Sequence, residues 1–311
     1  MLDTNQANMV CVSNDKGEEQ YAKSPLEHRR REEVLPKING AVPYKKTIVF
    51  EYDNNFYAYI PKGVKSQGQT LQSRNSSIGH YTEKWCNDLL SPIAKKLGLY
   101  AVNEVVCDEL ALSTNSPADL AFCTTDSKNQ TANGIRLIFE VKMSIVNNYM
   151  YSSAHGIELI GDYKSHTGNP SLLRSDSMLK AIGKSLNIRV SSKAGNKIPI
   201  IVLGNSPITN HYLPKVDLLK ESGVVQGFWS LYPNPCKDHY NQKSPKGGFC
   251  TINRISELNE LCKKLINDNL IYFSSMLPIP KIGEIIRKAS LEATNELRAN
   301  KFLQLLREIN Q

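Results

Sequence analysis

Arg136-Leu137-Ile138-Phe139-Glu140-Val141-Lys142-Met143 is the stretch on which the reading of this chain turns. In a strand, alternate side chains share a face. Leu137, Phe139, Val141 and Met143 then point into a core, and Glu140 and Lys142 lie side by side on the opposite face. Two opposite charges on a strand that otherwise reads as buried need a reason. Upstream, Ser116-Pro117-Ala118-Asp119-Leu120-Ala121-Phe122 puts Asp119 at the start of another apolar strand. Between the two, Thr124 to Gly134 is turn chemistry throughout, so a hairpin there brings Asp119 next to Glu140. The alternative is a solvated Glu140–Lys142 pair on the exposed face of an antiparallel sheet, with Asp119 in a turn.

Working outward, Ser77 caps a predicted helix to about Lys96, with Ile78, Tyr81, Trp85, Leu89 and Ile93 as one buried stripe. Gly98 ends it. Glu83 flanks that stripe, about 120° from its centre at the usual helical increment. On its own it reads as a solvated glutamate. Strands are expected at Tyr100–Val106, Ala118–Cys123, Ile135–Met143, Ile198–Leu203 and Val224–Leu231. A second helix is expected from Asn169-Pro170, or from Ser175, to about Asn187, with Leu172, Leu179, Ile182 and Leu186 inward. Thr47–Tyr52 and Phe56–Ile60 flank Asp53-Asn54-Asn55 as a hairpin. Pro61–Ser77 and Tyr232–Gly248 read as long loops. Residues 1 to 43 read as a polar arm or solvated helix around Glu27 to Glu33. The tail from about Ile255 is helical, with stripes at Ile282, Ile285, Ile286, Ala289 and at Phe302, Leu305, Leu306, Ile309. The expected fold class is α/β: a central mixed β-sheet flanked by helices, with an N-terminal hairpin and C-terminal helical additions. The expected divisions are an arm, hairpin and loop at 1–75, a core at 76–235, and a loop with helices at 236–311.

The chain has 311 residues, enough for a well-buried core. Its 38 basic and 30 acidic residues leave a formal charge of +8, which favours polyanionic partners. Seven cysteines without CxxC spacing suit reduced thiols rather than a disulfide framework. No apolar run approaches membrane-spanning length, and the N-terminus lacks the pattern of a secretory signal, so a cytoplasmic location is expected.

Two carboxylates and an ammonium converging at strand ends suit phosphodiester hydrolysis. Hard oxygen ligands hold Mg²⁺ together with water and phosphate oxygens, and a nearby ammonium stabilises charge developing on the phosphate. At Pro117-Ala118-Asp119 and Glu140-Val141-Lys142 the sequence resembles the PD-(D/E)xK nuclease superfamily, which includes most Type II restriction endonucleases. It departs from the motif in that Ala118 separates the proline from the aspartate. The resemblance spans about residues 76 to 231. It implies that Asp119 and Glu140 bind Mg²⁺ with the Val141 carbonyl, and that Lys142 assists the attacking water. It also implies cleavage to a 5′-phosphate and a 3′-hydroxyl, and a further glutamate on the preceding helix, here Glu83.

Such an enzyme must choose where it cuts double-stranded DNA. Gln67, Gln69, Gln72, Arg74 and Asn75 in the first long loop are of the types that read base edges. Lys237, His239, Tyr240, Asn241, Gln242, Lys243 and Lys246 in the second mix base-reading and phosphate-binding types. Lys180, Lys184 and Arg189 on the second helix are further phosphate candidates. Cutting both strands of a palindrome calls for a homodimer. The rival readings are a repair or structure-specific nuclease of the same superfamily and a non-catalytic DNA-binding protein. Two weaker metal readings are zinc at Cys236, His239 and Cys250, whose spacing fits no tight finger, and the acidic pair Asp108-Glu109.

Overall fold

The computed structural model describes residues 10–13, 19–22, 50–53, 55–59, 63, 71–152, 154–165, 168–231, 243–268 and 279–309. Strands β1 (Val10–Ser13) and β2 (Glu19–Ala22) form an antiparallel hairpin within the segment expected to be a polar arm. The Glu27 to Glu33 cluster lies outside the described residues. Strands β3 (Phe50–Tyr52) and β4 (Asn55–Tyr57) form the expected hairpin, turning at Asp53 with φ 48°. They belong to a four-stranded antiparallel sheet with β8 (Asn148–Ser152) and β9 (Gly156–Gly161), two strands that sequence reading did not assign.

The main sheet contains β5 (Tyr100–Val105), β6 (Ala118–Cys123), β7 (Ile135–Lys142), β10 (Ile200–Gly204), β11 (Gly227–Ser230) and β12 (Phe249–Thr251). Its order is β12-β11-β10-β7-β6-β5. Strands β7, β10, β11 and β12 run parallel; β6 is antiparallel to β7 across the Thr124–Gly134 turn, and β5 is antiparallel to β6. This is the expected α/β architecture with a mixed sheet. β12 is an edge strand of the main sheet and lies beyond residue 235.

Helices cover both faces. On one, Leu120, Phe122, Leu137, Phe139, Val141 and Leu203 share a buried cluster with Cys86 and Leu90 of α1 (Leu71–Lys96). On the other, Ala121, Ile138 and Val202 pack with Met178, Ala181 and Ile188 of α2 (Ser175–Ser191) and Val216 of α3 (Leu213–Glu221). Helix α4 (Ile255–Asn267) adds Leu258 and Cys262 to the α1 side. Alternation along β7 therefore works as read: its Leu137-Phe139-Val141 face is core, and burial of Ile138 closes the other side.

Two helix readings are corrected. Helix α1 begins at Leu71, so residues 71–77 are helical rather than loop. Its buried face is Ile78, Thr82, Cys86, Leu90, Ile93 and Ala94, which keeps the expected Ile78 and Ile93, while Tyr81, Trp85 and Leu89 are only half-buried. Helix α2 starts at Ser175, and its buried face is Met178, Ala181, Ser185, Ile188 and Arg189. Leu179 and Leu186, expected inward, are 62% and 41% exposed. The apolar stripe misled because α2 turns small residues and a saturated guanidinium inward. Arg189 donates to the carbonyls of Gly223, Val224, Gly195 and Ile198 and to Gln226 Oε1.

The chain divides into two compact units, residues 1–273 and 274–311. The second holds α5 (Ile279–Ala289) and α6 (Asn295–Ile309). Ile285 and Ala289 are buried there, whereas Ile286, expected in the same stripe, is exposed. No described helix is long and apolar enough to cross a membrane.

Candidate active site

β6 and β7 pair with Leu120 opposite Phe139. One step further along that antiparallel register, Asp119 faces Glu140. Asp119 Oδ2 accepts the Val141 N–H at 2.8 Å, which fixes the carboxylate against β7. Lys142 Nζ lies 2.6 Å from Glu140 Oε1, 3.2 Å from Asp119 Oδ2 and 3.1 Å from the Val141 carbonyl. The three residues singled out from the sequence are thus in mutual contact. Glu140 is only 4% exposed, so β7 does not carry a solvated surface pair.

A fourth member comes from α2. Lys184 Nζ is 2.8 Å from Asp119 Oδ1 and 2.8 Å from Glu140 Oε2. The sequence suggested Lys184 as a phosphate contact; here it is ion-paired to both carboxylates. Arg189 is corrected too, since a guanidinium 2% exposed and bonded to the fold's own carbonyls is structural. Lys180, one turn before Lys184, lines the same cleft of about 630 Å³ with Glu83, Glu104 and Pro117.

The electrostatics follow from burial and pairing. Burial pushes Asp119 upward, but Lys142 and Lys184 outweigh it and hold the carboxyl below its ordinary range. Burial and the neighbouring Asp119 charge raise Glu140 despite the two lysines. Burial works against the charged form of each lysine, yet Asp119 and Glu140 hold both above the usual value. Both ammonium groups therefore stay charged. Burial, reinforced by Asp119, lifts Glu83 to about 7 against the pull of Lys142 and Lys184.

Residues that sequence reasoning missed hold this arrangement. Asn103 Nδ2 donates to the carbonyls of Glu83 and Asp119, tying α1 to the head of β6. Ser171 Oγ donates to the Lys142 carbonyl at 2.6 Å and accepts the Asn205 N–H. Ser171 (φ 51°) and Glu104 (φ 54°) both occupy the left-handed region. Non-glycine residues there store strain, a common feature of functional sites. Gly204 is opposite Lys142, and a Cβ on it would meet Leu172 Cγ at 2.4 Å, so only glycine leaves room for the 171–173 turn. An isolated serine or asparagine carries no periodic signal, which is why none of these was legible.

The other expected site residues are scattered. Gln72, Arg74 and Asn75 lie on the first turns of α1, with Asn75 exposed. Gln67, Gln69, Cys236, Lys237, His239, Tyr240, Asn241 and Gln242 lie outside the described residues, so the zinc reading does too. Lys243 is exposed and its backbone bridges to Cys250. Lys246 is exposed and pairs with Glu221. Asp108 and Glu109 are exposed on a short 3₁₀ turn.

Among the described residues no three His, Cys, Asp or Glu side chains form a metal cage. The donor set still suits a hard divalent ion. Two points, occupied by Lys184 Nζ and Lys142 Nζ, each lie within 3.2 Å of an oxygen of both carboxylates, so the pair already converges on positive charge. The Val141 carbonyl faces the same cluster through Lys142. Mg²⁺ is commonly held by one or two carboxylates with waters and phosphate oxygens completing its shell. Comparison with protein-family models, curated proteins and solved structures gave no match.

Proposed function

We propose that this protein is a Mg²⁺-dependent DNA endonuclease that cleaves double-stranded DNA at a specific sequence, as a Type II restriction enzyme of the PD-(D/E)xK kind. One observation carries the reading: Asp119 and Glu140, on adjacent strands, share a buried point of positive charge with Lys142 beside them. Taking charges out of water costs several kcal/mol for each ion, and apolar replacements of buried pairs are often neutral or stabilising. A four-charge cluster facing a cleft is therefore poorly explained as a stability device.

Asp119, Glu140 and the Val141 carbonyl would hold the metal. When bound, Mg²⁺ polarises the phosphodiester and makes a water a better nucleophile. Lys142 stays protonated, so it acts as a fixed positive charge that orients the attacking water and steadies charge growing on the phosphate. Glu83 exchanges its proton near neutrality and faces the same cleft, which suits it to accept a proton from that water. Lys180 sits on the cleft wall, where a phosphate would approach. Base reading falls to Gln72, Arg74 and Asn75 and to the segment containing Lys237, His239, Lys243 and Lys246. The Lys246–Glu221 pair is an exposed one, of the kind that contributes little, so it is no bar to phosphate binding. Cleavage of both strands would use a homodimer.

Incubation with linear plasmid DNA and Mg²⁺ tests the reading. Discrete bands ending in 5′-phosphates are expected. A smear, or cutting confined to branched DNA, points to a repair or structure-specific nuclease of the same chemistry. Binding without any cleavage points to a non-catalytic DNA-binding protein.

A further inference from the structure

We propose that Lys184 is a built-in counter-cation: its ammonium holds Asp119 and Glu140 together while no metal is bound, and it competes with the divalent ion for them. This rests on the nuclease reading of the site and adds a role that the sequence motif does not assign. Lys184 reaches the site from α2, a different element from the two strands that carry the carboxylates. Its Nζ bridges one oxygen of each, at 2.8 Å to both. Lys142 uses the other oxygens, Asp119 Oδ2 and Glu140 Oε1. The two lysines therefore divide the carboxylates between them. Lys142 is tied back to its own strand through the Val141 carbonyl, whereas the ammonium of Lys184 contacts the two carboxylates.

An ammonium and a hydrated divalent ion cannot share the point between two carboxylates. A divalent ion seated between Asp119 Oδ1 and Glu140 Oε2 displaces Lys184 from both oxygens. Its side chain lines the open cleft beside Lys180 and Gly183, so the released ammonium has a place to go on the side from which a DNA phosphate would enter. Together with Lys142, Lys184 thereby offsets the repulsion between the two buried carboxylates when no metal is present. The consequence is weaker metal binding in the absence of DNA.

The test uses the full chain without DNA. In Lys184→Met, which keeps the aliphatic stem, calorimetry should show Mg²⁺ or Mn²⁺ binding about tenfold tighter, the size of effect one adjacent charge has on an ionisation equilibrium. The metal-free variant should melt lower than wild type, and Mg²⁺ should raise its melting temperature by more. Unchanged or weaker metal affinity overturns the proposal. Wild-type protein gives an independent check that does not depend on the variant folding. Reductive methylation of Lys184, read by mass spectrometry, should speed up when Mg²⁺ is added, and labelling indifferent to Mg²⁺ overturns the proposal. If wild type binds Mg²⁺ and cuts DNA but either result is negative, the counter-cation role fails and the nuclease reading survives. If wild type takes up no divalent ion with or without DNA, both fail.

Discussion

Glu83 links burial to pH at the level of one side chain. Its carboxyl is raised from an ordinary 4.5 to about 7, first by burial and then by the Asp119 charge. The folded state therefore keeps this proton over a range where the unfolded chain has lost it. Glu83 stabilises fully below its unfolded pKa, and that contribution drains away as pH rises from about 4.5 to about 7. Metal-free Glu83→Gln should lose this component, so its melting temperature should fall less steeply than that of wild type across the window. Parallel slopes would rule out the assignment. Ser171 is a second residue-scale case. It is 3% exposed and braces the Lys142 carbonyl, so Ser171→Ala leaves buried partners unpaired and should cost about 1–3 kcal/mol in urea unfolding. A cost near zero would show that the brace carries no weight. Of these residues only Glu83 was visible in the sequence. It shares a helix with a periodic stripe, whereas Ser171 gains its meaning from β7, Asn205 and a strained backbone.

The elements divide in the same way. β7 was legible because alternation is a local property: Leu137, Phe139 and Val141 face one core cluster whatever lies around them. Asp119 was legible at one remove, through the turn that makes β6 and β7 antiparallel neighbours. β8 and β9 were not, because their sheet is completed by β4 from far upstream, with Phe56 opposite Tyr151. Helix α2 was found but rotated. The sequence offered Leu179 and Leu186 as its inner face, while packing against the sheet selected Met178, Ala181 and Ile188. That rotation is what carries Lys184 to the carboxylates. It has a direct energetic consequence. Met178→Ala should cost about 2–5 kcal/mol, as truncation in a filled core does, and Leu179→Ser should stay within about 0.5 kcal/mol, as at ordinary surface positions. Equal costs in chemical denaturation, or the reverse order, would mean that α2 packs with its other face.

For the whole molecule, the sheet serves to deliver charged groups from three directions to one cleft: Asp119 from β6, Glu140 and Lys142 from β7, and Lys184 from α2. Glu83 reaches the same cleft from α1 on the far side of the sheet. The net charge of +8 favours polyanionic partners in general. The proposed DNA-reading residues rest on residue type alone, because loop polar residues have no periodicity to place them. The most direct test of the central claim compares wild type with Lys142→Ala on unmodified linear DNA, scoring cleavage and gel retardation in parallel. Wild type should cut only with Mg²⁺ and leave 5′-phosphate ends, while Lys142→Ala should retard the DNA equally well and leave it intact. Cleavage that survives in Lys142→Ala, or proceeds without a divalent ion, would contradict the assignment of Asp119, Glu140 and Lys142 as the nuclease site.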